Sequence, residues 1–167
     1  DHILFVVALC SIYLLKDWKK VLILVTAFTI GHSLTLALST LNLVNISSSL
    51  VETLIPVTII LTCLYNIIRK PLSKDGNTAN YLMALGFGLI HGLGFATFFK
   101  ALADEAESIT LPLFYFNVGV EVGQIIIVLL TLLLSYIVVN VFKARQLYYN
   151  YVVSGAILIW AVKMMIG

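Results

Sequence analysis

The apolar positions of this chain gather into long unbroken runs, separated by short polar segments. Runs over about 3–15, 21–44, 50–68, 81–99, 113–142 and 148–166 each predict a helix. A helix that crosses the hydrocarbon core of a bilayer needs about 20 mainly apolar residues. All but the first run approach or exceed that length. The first is expected to continue upstream of Asp1, where the chain opens without an initiator Met and without a visible signal peptide. A transmembrane β-barrel would show alternation at every second residue, which these runs lack. The pattern therefore predicts an all-α polytopic bundle of about six transmembrane helices, forming a single domain over residues 1–167.

Composition agrees. Of 167 residues, 61% are hydrophobic and 11% charged, where a soluble domain carries about 25% charged residues. Mean hydropathy is +1.07. These values exclude a soluble enzyme, a disordered chain and a disulfide-stapled secreted domain. Cys10 and Cys63 lie inside apolar runs and read as small hydrophobes. The net charge of +2 is spread between segments, so no nucleic-acid partner is indicated.

The charges do orient the chain. Lys16, Lys19, Lys20, Arg69, Lys70, Lys74, Lys143 and Arg145 account for eight of the ten Lys and Arg, and all fall in the first, third and fifth connections. By the positive-inside rule those connections are cytoplasmic and Asp1 begins outside. Asp104, Glu105 and Glu107 crowd an outer loop. Six helices also admit an inverted 3+3 arrangement, as in repeat-built transporters.

Within the apolar runs or at their ends stand Asp1, His2, His32, Glu52, His91 and Glu121. An ionised side chain at the centre of a membrane helix costs about 2.5–3.5 kcal/mol on the lenient insertion scale. At 1.5 Å per residue, all six fall between the middle of the membrane and its outer face. One histidine alone often serves only as an interhelical hydrogen-bond partner, and Glu52 could simply be solvated at the interface. Three imidazoles and three carboxylates at one depth are instead a ligand set for a borderline divalent ion such as Ni, Co, Zn or Fe. Thr29 and Ser33 beside His32, with Thr26 a turn earlier, are candidates to orient these ligands. So are Asn117 and Gln124 on the face of Glu121. Gly88 and Gly92 form one GxxxG, and Gly119 and Gly123 another. Close backbone approach at both is expected to bring His91 towards Glu121.

The stretches Asp1-His2-Ile3-Leu4-Phe5, Ala27-Phe28-Thr29-Ile30-Gly31-His32-Ser33-Leu34-Thr35-Leu36, Phe87-Gly88-Leu89-Ile90-His91-Gly92-Leu93-Gly94-Phe95-Ala96 and Phe116-Asn117-Val118-Gly119-Val120-Glu121-Val122-Gly123-Gln124 resemble the HupE/UreJ-type bacterial membrane proteins. The Asp-His and Gly-His-Ser elements are also similar to those of larger nickel/cobalt transporter families. The resemblance implies a permease of the bacterial cytoplasmic (inner) membrane that carries nickel or cobalt to hydrogenase or urease. Asp1 and His2 match the family's Asp-His pair, and His91 matches the first histidine of its FHG-x-x-HG-x-E element. The second histidine of that element is Phe95 here, and its glutamate is Phe98.

Three functions fit this reading. One is a secondary metal permease, with the metal ion and the bilayer as its partners and a homo-oligomer or accessory membrane protein allowed. Another is a membrane-embedded metal-dependent hydrolase, favoured by the scarcity of polar groups leading inward from the site. The last is a metal-sensing or metallation accessory.

Overall fold

The computed structural model describes residues 1–68, 77–103 and 109–166. Six α-helices follow one another: α1 (His2–Cys10), α2 (Trp18–Thr40), α3 (Ser48–Ile68), α4 (Asn77–Ala103), α5 (Thr110–Tyr136) and α6 (Gln146–Ile166). A 3₁₀ turn at Leu15–Asp17 leads into α2, and a π-helical turn at Ile137–Val141 closes α5. Among the described residues there is no strand. The segments containing α2 to α6 are five spans long and apolar enough to cross a membrane. Arg69, Lys70, Lys74, Asp104, Glu105 and Glu107 lie outside the described residues.

The first helix differs from expectation, stopping at Cys10 instead of continuing to residue 15. The Ser11 hydroxyl and amide both turn back to the Ala8 carbonyl, at 2.9 and 3.2 Å. Asn66 of α3 donates to the same carbonyl at 2.7 Å. Asn150 Oδ1 of α6 lies 3.0 Å from the Ser11 hydroxyl. Partners from α3 and α6 therefore fix the exit of the chain from α1. At 1.5 Å per residue, nine residues reach about 14 Å, roughly half the hydrocarbon thickness. Phe5, Val6, Ala8 and Cys10 are all within 1% of complete burial, so α1 fills the interior of the bundle.

Helix α2 ends at Thr40, before the expected residue 44, because Asn42 takes a left-handed φ of 57°. The amides of Leu43 and Val44 then return to the Leu38 carbonyl, which satisfies an open helix end. Lys100 of α4 donates to the Asn42 side chain at 2.8 Å and pins this corner. Helix α3 continues through Pro56.

Helix α2 packs along α4, and α3 along α6. Successive long helices run antiparallel, so their ends form two sets. One, called here the basic end, carries Lys16, Lys19, Lys20, Lys143 and Arg145 and is tied by a buried polar network. In it, Asn150 donates to the Asn66 carbonyl at 2.6 Å, and Ser154 donates to Asn150 Oδ1 at 3.0 Å. Tyr13 accepts from Asn80 at 2.9 Å. Outside the bundle, Leu129, Leu130, Leu133 and Leu134 of α5 are each more than half exposed. Such an apolar face suits acyl chains and not water.

Candidate metal centre

The site begins with the contact between α2 and α4. Gly31 of α2 lies against the Leu85 carbonyl, Gly88 of α4 against the Phe28 carbonyl, and Gly92 against the His32 carbonyl. A Cβ at any of the three would collide with the facing backbone, so only glycine permits this approach. The close contact seats His32 and His91 in the interior, at 0% and 1% exposure. His2, at the start of α1, enters between them. Its ring centroid is 4.9 Å from that of His32 and 5.3 Å from that of His91, both edge to face. The Asp1 carboxylate caps α1 by accepting from the His2 amide at 2.6 Å.

Aromatic walls enclose the three imidazoles. Phe28 stands 4.9 Å from His2, Phe5 stands 5.0 Å from His91, and Phe95 lies 5.3 Å from His2 and 5.5 Å from His32. The one imidazole nitrogen with a partner is His91 Nε2, 2.9 Å from Thr58 Oγ1. Thr58 also donates to the Ile55 carbonyl at 2.7 Å. A hydroxyl has one proton. Both bonds are satisfied together when His91 donates from Nε2, which leaves its Nδ1 lone pair bare. His91 Nδ1 and both nitrogens of His2 and of His32 are buried without a partner.

A buried polar nitrogen without a partner is destabilising, and such groups are rare in native interiors. Each neutral imidazole has one lone pair, so three of these five nitrogens are donors that a cation would satisfy. The rings as they stand meet edge to face. Among the described residues no group of three His, Cys, Asp or Glu is disposed to hold one ion. Ligation by all three requires the imidazoles to turn.

The expected carboxylates separate. Asp1 and Glu52 line an open cleft of about 460 Å³ with Ile55, Pro56, Phe95 and Phe98. Phe95 borders both the cleft and the imidazoles, so it forms the partition between them. Glu121 lies elsewhere, in a seam between α2 and α5. Its Oε1 accepts from Thr26 at 2.9 Å, and its Oε2 is buried without a partner. In the same seam Gln124 accepts from Thr29 at 2.9 Å and Asn117 accepts from Ser33 at 2.6 Å. Thr29, Ser33, Asn117 and Gln124 thus bond across this seam and not to the imidazoles.

The glycine expectation also needs correction. Gly88 and Gly92 draw α4 onto α2 and bring His91 to the His2 and His32 pair, not to Glu121. Gly119 and Gly123 have nothing near where a Cβ would stand. Sequence reasoning missed Thr58 and the aromatic walls. Thr58 is one of many helix hydroxyls, and only its reach to His91 across two helices distinguishes it.

Neither the curated proteins nor the solved structures contain a significant match to the chain. The family model described as HupE / UreJ protein matches residues 1–166. With the match covering the helices that build the imidazole chamber and its acidic cleft, the chain belongs to the HupE/UreJ family.

Proposed function

We propose that this protein is a secondary permease for a divalent transition metal of the nickel or cobalt type, with zinc as a chemically related competitor, in the bacterial cytoplasmic membrane. The observation that carries the proposal is the chamber of three imidazoles with five buried, unpartnered nitrogens. Imidazole is the usual nitrogen donor for such ions. Membership of a family concerned with nickel and cobalt handling supports the same reading. In this scheme the cleft with Asp1 and Glu52 faces outward, since Lys16, Lys19, Lys20, Lys143 and Arg145 gather at the opposite end. The carboxylates concentrate cations at the mouth. The ion sheds water, passes Phe95, and turns His2, His32 and His91 onto itself.

Cobalt and nickel binding to purified protein, followed by radiometal uptake into proteoliposomes, tests this directly. His32→Ala and His91→Ala are each expected to lower affinity by about 10–100-fold, the range for losing a ligand or its support. Uptake should fall in parallel. Unchanged metal binding in both variants would remove the proposed ligand set. Saturable binding with no accumulation would assign the site to a sensor or a membrane-embedded enzyme.

A further inference from the structure

The chamber is nearly closed off by apolar packing towards the basic end, except along one face of α3. Thr58, Thr62 and Asn66 recur every fourth residue, so they share that face, and they are 2%, 6% and 2% exposed. Thr58 touches His91. Thr62 and Asn66 line a small interior cavity together with Tyr13, Tyr65 and Asn80. At 1.5 Å per residue the stripe descends about 12 Å, from the level of the imidazoles to that of the polar network at the basic end. The stripe thus leads from the level of the chamber to that of the network, and the rest of the cavity wall, Leu9, Ile12, Leu24, Met83 and Phe87, is apolar.

We propose that this stripe and cavity form the inward route by which the cation leaves the imidazole chamber. The inference rests on the permease reading above. Its chemistry is that of release. The polar groups along the route are hydroxyls, phenols and carboxamides, and among the described residues no imidazole, carboxylate or thiol lines the cavity. A borderline cation prefers imidazole to neutral oxygen, so affinity falls in the direction of exit, and a cation must be held weakly to leave. The route is narrow at the cavity. The cavity has about 10 Å³ of room for a water centre, against about 460 Å³ in the acidic cleft. Room of about 10–15 Å³ suits a single water, so the Thr62 and Asn66 cavity is the constriction, lying between the acidic cleft and an open cleft of about 410 Å³ beside Lys16 and Asn140 at the basic end. Widening between α1, α3 and α4 then admits the ion with its remaining water.

Thr62→Val tests the route, because it replaces a hydroxyl that bonds only the Thr58 carbonyl in its own helix. Cobalt binding to the purified variant should match the unaltered protein within about twofold, while initial uptake falls about tenfold, in line with one lost polar interaction. Thr62→Ser should restore uptake. Thr62→Cys, made in a Cys10→Ala, Cys63→Ala background, should react with a hydrophilic methanethiosulfonate reagent supplied from the basic end and be protected by cobalt. In the unaltered protein Cys10 and Cys63, which do not line the cavity, should be unreactive. Normal binding with unchanged uptake in Thr62→Val overturns the route and leaves the permease reading intact. Failure of the unaltered protein to accumulate metal overturns both. Should Thr62→Val fail to fold, Thr62→Cys decides, and an unreactive thiol there rejects the route.

Discussion

Two glycine pairs with identical spacing should respond oppositely to alanine. A Cβ on Gly88 would fall on the Phe28 carbonyl, and one on Gly92 on the His32 carbonyl and the Thr35 hydroxyl. Backbone atoms cannot swing aside, so α2 must retreat by roughly 1 Å to restore ordinary contact. Overpacking of this kind costs about 1–3 kcal/mol, offset by up to about 1 kcal/mol from the better helix preference of alanine. A net loss of about 1–2 kcal/mol is expected for Gly88→Ala or Gly92→Ala. The same retreat carries His32 away from His2 and His91, and a ligand set must be held within about 0.5 Å, so cobalt affinity should fall as well. Gly119→Ala and Gly123→Ala meet nothing within 4 Å and should stay within about 0.5 kcal/mol of the unaltered protein. Unfolding midpoints in detergent, with cobalt competition titrations on the folded fraction, check both arms. Equal losses from the two pairs would refute the packing assigned to α2 and α4. Loss at Gly119 or Gly123 would mean that a second chain covers α5.

Two further substitutions probe other parts of the structure. Thr58→Val removes the hydrogen-bond partner of His91 Nε2 and should weaken metal binding by about 10–100-fold while lowering stability by about 1–3 kcal/mol through the unpaired buried N–H; Thr58→Ser should recover most of both. Asn150→Leu strips Ser11, Ser154 and the Asn66 carbonyl of their shared partner and should cost about 1–3 kcal/mol by leaving buried polar groups unpaired, seen as a lowered thermal midpoint whether or not metal is present.

Much of the candidate site was legible in the chain before any coordinates. Asp1, His2, His32 and His91 stand out because a polar side chain in an apolar run needs a reason, and helical rise fixes its depth. The structure brings the three histidines together and sets Asp1 beside Glu52 in the adjoining cleft. Glu121 is placed at the same depth by its position in the chain and is as isolated among apolar residues, yet faces Thr26 across a different seam. Depth follows from position along a helix, whereas facing follows from rotation about its axis, which neighbouring helices set.

The same division runs through the rest of the molecule. Unbroken apolar runs determined that the chain is helical and suited to a bilayer, because length and hydropathy are local properties. The contact surface of α2 and α4, the early end of α1 at Cys10 and the partnership of Thr58 with His91 belong to the tertiary structure alone. Each depends on groups from two or three helices far apart in sequence. Gly88-x-x-x-Gly92 and Gly119-x-x-x-Gly123 read alike as letters, but only the first finds a backbone to lie against. Close packing couples every helix to its neighbours at once, and no single segment carries that information.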